Sequence, residues 1–246
     1  MALIKRIANK INRFFKKRRY KIITGDFKKY GDAWKNQLIP EQQLKINKKF
    51  LDQLENSRII KSLKEIFRAA DGGIILEVGC STGYYSQVFK KLGLNFVYQG
   101  CDYSQAFIDL AKKNYPEEKF EIMDAADLKY ETNSFDTVFH ATCLLHLANY
   151  EKAIAEAARV AKKYVIFSGL PIIHLAPTVF TEKEAYGVKM LEIFFNEKEL
   201  FNIFSKNNLL VAKTSSNHYF YIEELAEPIF IKNYLCQKIY DKKNQS

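Results

Sequence analysis

Residues 74–83 read Ile-Ile-Leu-Glu-Val-Gly-Cys-Ser-Thr-Gly, an apolar strand that runs without a break into a glycine turn. A segment apolar on both of its faces suits a parallel strand covered from two sides. The turn opens a helix that reaches about Leu92, and strands then alternate with helices. Strands are predicted at Phe96–Cys101, Phe120–Met123, Phe135–His140 and Tyr164–Ser168. The helices fall at Ser104–Asn114, around Tyr150–Ala161 and around Glu197–Lys206. Two last strands, near Leu209–Thr214 and His218–Glu223, are close enough to pair as an antiparallel hairpin. The pattern implies an α/β fold with a mostly parallel seven-stranded sheet, an antiparallel terminal hairpin and helices on both faces. Upstream, residues 41–70 carry a helical pattern that stops at Asp71-Gly72-Gly73.

The turn is the first candidate for chemistry. Glycine lets a backbone come close to a ligand, and the helix that follows offers unpaired N–H groups. Asp102 ends the second strand, nineteen residues beyond Gly83. A carboxylate at that place in a doubly wound sheet can hold ribose hydroxyls. Gly79-Cys80-Ser81-Thr82-Gly83 also fits the nucleophile elbow of α/β-hydrolases. That elbow follows several strands, whereas only Lys-rich helical sequence precedes Ile74.

An ordered series from Ile74 to Ser168 resembles the class I S-adenosylmethionine-dependent methyltransferases, in the branch shared by many small-molecule enzymes. Its pieces are Leu76–Gly83, Gly100-Cys101-Asp102-Tyr103-Ser104, Met123-Asp124-Ala125-Ala126-Asp127-Leu128, Ser134–Val138, Leu144-Leu145-His146-Leu147 and Ile154–Val160. Ser81 departs from the family, which often has glycine there. The resemblance implies a Rossmann-like fold and S-adenosyl-L-methionine as cofactor. It implies cofactor contacts from Glu77, Gly79, Cys80, Ser81, Gly83, Asp102, Tyr103, Asp124 and Ala125. Asp127 lies three residues from Asp124 and could exchange roles with it.

Methyl transfer from a sulfonium asks chiefly for alignment and exclusion of water, with a base only where the acceptor must lose a proton. The acceptor belongs outside the carboxyl ends of strands four and five. His140 ends strand four and His174 follows strand five, so both are catalytic candidates. His146 sits at a family position that reads as structural, and Asp136 reads as an anchor. Pro171–Phe195 is placed to wall the acceptor, and Trp34 with Tyr30 to cover the cofactor.

Charge divides the chain. Of its 38 Lys and Arg, eleven fall in residues 1–30 beside one acid, Asp26, which leaves 27 of each sign over residues 31–246. Placed at 100° per residue, residues 3–18 set Leu3, Ile4, Ile7, Ala8, Ile11, Phe14 and Phe15 within an arc of about 140°, with every cation but Arg18 outside it. Residues 1–30 thus form a basic amphipathic arm, 31–72 a helical cap and 73–246 the methyltransferase domain. The arm suits an anionic membrane surface through residues 1–20, packing on the domain, or nucleic acid phosphates. A neutral domain and the lack of Pro-Pro-aromatic and Pro-Cys signatures argue against nucleic acid. The four cysteines are far apart and read as reduced, without metal spacing. With no signal-peptide core and no spanning segment, the expected location is the cytoplasm, resting on the membrane if the arm binds lipid. The implied partner is a small-molecule or lipid-linked acceptor, with methylation on oxygen.

Overall fold

The computed structural model describes residues 20–240; the arm helix expected over residues 3–18 lies outside them. Strand β1 is Tyr20–Ile22, followed by helices α1 (Ile39–Asp52) and α2 (Arg58–Ala69). The helical stretch read as 41–70 is thus two helices. They part at Gln53–Ser57, where the Ser57 hydroxyl accepts a hydrogen bond from the Ile60 amide and caps α2. Next come β2 (Gly73–Val78), α3 (Tyr85–Lys91), β3 (Phe96–Asp102), α4 (Gln105–Asn114), β4 (Lys119–Ile122), β5 (Phe135–Ala141) and α5 (Tyr150–Val160). The chain continues as β6 (Ala161–Ile173), β7 (Val179–Ala185), β8 (Val188–Asn196), α6 (Glu197–Lys206), β9 (Leu209–Phe220) and β10 (Ile229–Lys238).

The expected seven-stranded sheet is β4-β3-β2-β5-β6-β10-β9, parallel up to β6 and antiparallel across β10 and β9. Ile75, Leu76 and Val78 of β2 are fully buried, as a central strand covered on two faces requires. One face packs on α2 and α3, with Phe67 edge-on to Phe89 and Phe139. The other packs on α5 and α6 through Ile154, Phe167 and Phe204. Strand order reverses between β2 and β5, and a crevice for ligands opens at such a switch point.

Three parts depart from the sequence reading. Residues 20–30, assigned to the arm, belong to the fold: β1 pairs antiparallel with β7, and Phe27 stacks on Phe180 at 4.2 Å. Pro171–Phe195, to which the sequence reading gave no secondary structure, holds a hairpin, β7 and β8, turned by Tyr186 and Gly187 at φ 54° and 77°. Two positive φ values in a two-residue connection match the twist of antiparallel strands. β8 continues the main sheet through Ile172 and Ile173 at the far end of β6. Finally, the stretches near Leu209–Thr214 and His218–Glu223 are not a hairpin but lie largely within one strand, β9, whose partner is β10. Ser215 and Asn217 look like turn residues in sequence, but here they bond sideways. The Ser215 hydroxyl donates to the Ser62 carbonyl at 2.7 Å, and the Asn233 amide donates to Ser215 at 3.0 Å. Asp136 is the anchor expected, accepting from the Ile74 amide at 2.9 Å beside Lys163.

Gly83 and Gly93 separate two costs of replacing glycine. Both have positive φ, but a Cβ at Gly83 would lie 2.4 Å from the Phe120 ring, while one at Gly93 meets nothing within 4 Å. Urea unfolding is expected to show Gly93→Ala losing about 1–2 kcal/mol from backbone strain alone. Gly83→Ala should lose about 3 kcal/mol or more, from the strain plus the clash. Equal losses would mean that Phe120 moves aside freely.

Candidate cofactor and acceptor site

The turn after β2 is held by the end of β3. Gly79 and Cys80 both donate their amides to the Cys101 carbonyl, at 2.8 and 2.9 Å. Gly79 has φ 73°, and a Cβ there would stand 2.5 Å from the Cys143 side chain. The loops after β2 and β5 therefore approach closer than any side chain at 79 would allow. Ser81 also takes a positive φ, 51°.

Asp102 ties the turn to its neighbours. One carboxylate oxygen accepts from the Ser81 amide and the other from the Ser104 amide, each at 3.0 Å. Burial pushes this carboxyl up to about 6, and the amide bonds hold it from rising further. Glu77 is 1 % exposed and accepts a hydrogen bond from the Tyr98 hydroxyl. Its pKa is raised well above the carboxylate range by burial, with Asp102 adding repulsion. Cys80 is fully buried, and burial raises its thiol too, so it is no nucleophile.

Residues 30–52 and the hairpin tip roof this turn. Asn47 on α1 donates to the Thr82 hydroxyl at 2.9 Å, and Gln43, one turn earlier, donates to the Tyr186 hydroxyl at 2.6 Å. The Trp34 amide donates to the Tyr103 hydroxyl at 3.2 Å, and the Trp34 ring lies 4.9 Å from His146 and 5.8 Å from Tyr186. Trp34 thus sits beside Tyr103. Asn47 and Gln43 went unrecognised in the sequence. Their one signal was a polar i, i+4 pair on the face of α1 that carries Ile39 and Leu44.

The other candidates divide. Asp124 is exposed and accepts from the Ala126 amide at 2.8 Å, while Ala125 beside it is buried. Asp127 is engaged by Lys129 at 2.6 Å, which leaves Asp124 the freer acid at this edge. The Ser81 hydroxyl is buried without a hydrogen-bond partner. A hydrolase nucleophile needs a base beside it, and none bonds to this hydroxyl. His140 is fully buried, with Nδ1 3.8 Å from the Cys143 sulfur and Nε2 unpartnered. Burial holds its pKa down at about 3, so the ring is neutral. His174 is not brought to the rim. β6 passes the end of β5 at Ser168 and runs five residues further, so His174 lies about 20 Å along the strand from that edge. There it pairs with Glu197 at 3.0 Å beside Lys232.

His146, read as structural, is held by the backbone. Its Nδ1 stands 2.6 Å from the Leu191 carbonyl, and a carbonyl can only accept, so the proton is on Nδ1 and the lone pair on Nε2. Burial lowers its pKa. Among the described residues no cluster of His, Cys, Asp or Glu could hold a metal, and no helix is long and apolar enough to cross a membrane.

Residues 76–168 match a family described as a methyltransferase domain. A demethylmenaquinone methyltransferase of Renibacterium salmoninarum is 33% identical over 94 residues, or 38% of this chain and 39% of that protein. The chain thus spans about two fifths of that relative's length. Burkholderia thailandensis 1,6-didemethyltoxoflavin-N1-methyltransferase, solved with S-adenosylhomocysteine, has a TM-score of 0.61 at 13% identity, covering 90% of this chain and 95% of that one. The [4+2]-cyclase SpnF shares the fold at a TM-score of 0.55 and 17% identity, covering 73% of this chain and 80% of its own. At these identities the likeness is one of fold, and the cyclase marks how little a fold alone says about the reaction.

The buried ring of His140 gives a pH signature. The unfolded chain protonates it near 6.5 and the folded chain only near 3. The stability carried by the neutral ring is complete above pH 6.5 and is lost as pH falls. From pH 7 to 5 this ring should cost about 2 kcal/mol. His140→Leu should remove that fall in urea melts at the two pH values. An unchanged fall would show that the ring is hydrated.

Proposed function

We propose that residues 76–168, which match a methyltransferase domain, use S-adenosyl-L-methionine to methylate a small-molecule or lipid-linked acceptor. The observation that carries the proposal is Asp102, a buried carboxylate that accepts from the Ser81 amide of the glycine turn and from the Ser104 amide after β3. It ends β3, next to β2 at the switch point, where a nucleoside is held in this fold. The cradle fits the cofactor: its glycines approach without Cβ atoms, and Ser81 offers a buried hydroxyl with no partner of its own.

S-adenosyl-L-methionine, when bound, supplies an electrophilic methyl on a sulfonium. Asp102 and Glu77 would hold its polar groups, with Gly79, Cys80, Ser81 and Gly83 lining the turn, and Tyr103, Asp124 and Ala125 the nucleoside side. The acceptor enters under the roof of α1, Trp34 and the hairpin tip. Because the domain needs no metal for this chemistry, alignment and the exclusion of water by Trp34 and Tyr186 are its main contributions. An acceptor hydroxyl would give up its proton to His146 Nε2, whose tautomer the Leu191 carbonyl fixes. His140, sealed beneath the rim, serves by packing. Residues 1–19 hold eight Lys or Arg and no acid. This charge supports contact with an anionic membrane surface, from which a lipid-linked acceptor would be drawn. The balanced charge of residues 31–246 speaks against a nucleic acid substrate.

Calorimetric titration of S-adenosylhomocysteine tests the proposal. Micromolar binding is expected, weakened by Asp102→Ala by about tenfold or more (about 1.4 kcal/mol). A folded protein that binds nothing refutes the reading. Once an acceptor is found, His146→Asn should lower kcat by about 10²-fold with cofactor affinity unchanged. Equal turnover would remove His146 from the chemistry.

A further inference from the structure

The outer face of α1 is built unlike its inner face. At 100° per residue, Leu38, Gln42, Lys45, Ile46 and Lys49 fall within an arc of about 100°. Gln43 and Asn47, which hold the hairpin tip and the glycine turn, point the other way. On the outer stripe Leu38 is 70% exposed and Ile46 51%, and both lysines are exposed. Large aliphatic side chains left in water among cations mark a contact surface, and their mixture with Lys selects an anionic, apolar partner.

The first described strand begins near this roof. β1 pairs Tyr20 with Lys183, three residues before the Tyr186 turn, so Tyr20 stands about 10 Å from the hairpin tip that Gln43 holds. The strand is fastened at its start: the Tyr20 hydroxyl and the Lys183 ammonium both donate to the buried Glu192 carboxylate, at 2.9 and 2.6 Å. Residues 1–19 hold eight cations in sequence, and Tyr20, which follows them, lies near the roof that carries the Leu38–Ile46 stripe.

We propose that the outer face of α1 and the N-terminal segment rooted at Tyr20 together dock on an anionic lipid bilayer, which sets the roof of the site against the membrane. The proposal rests on the reading of a lipid-phase acceptor, and adds to the segment a second, folded contact on the roof itself. The apolar stripe enters the headgroup layer while Lys45, Lys49 and the basic segment meet lipid phosphates. No charge on the core domain is needed.

Co-sedimentation of the full chain with phosphatidylcholine vesicles, with and without about one-third phosphatidylglycerol, tests this. Anionic vesicles are expected to bind it about tenfold or more tightly. Leu38→Ser with Ile46→Ser, and separately Lys45→Glu with Lys49→Glu, should each weaken that binding at least about fivefold. Both sites are solvent-exposed, so melting temperature and S-adenosylhomocysteine affinity should hold. Trp34, the only tryptophan, should be quenched by brominated lipid in the wild type and less in both variants. Wild-type binding by both variants overturns the proposal, because the N-terminal segment then acts alone. A drop in melting temperature without loss of vesicle binding also overturns it, since the stripe then packs against the chain. Vesicle binding that survives while S-adenosylhomocysteine does not bind would refute the methyltransferase reading and leave this surface standing.

Discussion

Asp102 closes the end of β3 onto the turn after β2 by accepting from the Ser81 amide, and Cys101 beside it accepts from Gly79 and Cys80. Three hydrogen bonds from successive turn amides fix where the turn stands, while Ser104 engages the other carboxylate oxygen. They can form only because Gly79 and Gly83 carry no Cβ where Cys143 and Phe120 press against them. The site therefore rests on a close approach of loops with positive φ at three nearby positions, free of strain at Gly79 and Gly83 and strained only at Ser81. A buried carboxylate with both oxygens engaged is costly to leave without its amides.

On this floor stands a roof made from parts distant in sequence. α1 reaches the turn through Asn47 and Thr82, and the hairpin through Gln43 and Tyr186. The hairpin is in turn tied to the chain's beginning by β1 and to β6 by Ile172 and Ile173. Loss of the Tyr20–Glu192–Lys183 contacts would loosen the wall that presents the Leu191 carbonyl to His146. N-terminal segment, hairpin and acceptor side are therefore one mechanical unit.

Burial sorts the titratable groups around the site. Glu77 and Asp102 are pushed up and His140 is pushed down, all chiefly by desolvation. The interior is kept poor in net charge, which suits a cationic sulfonium that must be held near a carboxylate without being quenched by a second ion. His146, beside Trp34, is the histidine whose tautomer the Leu191 carbonyl fixes.

The sequence by itself determined the strands from Gly73 to Ser168, the glycine turn and Asp102, because these rest on local signals: an unbroken apolar run, glycine at positive φ, and an acid at a fixed distance. It also determined where the excess charge lies. Tertiary structure alone decided that Ser215 and Asn217 continue a strand, since their hydrogen-bond partners, Ser62 and Asn233, are far away in the chain. It decided likewise that His174 stands away from the rim, because the length of β6 is set by its pairing with β8 and β10. His146 gained its place from a carbonyl 45 residues away. Side-chain partners across such distances leave no periodicity, and so no trace in a single sequence.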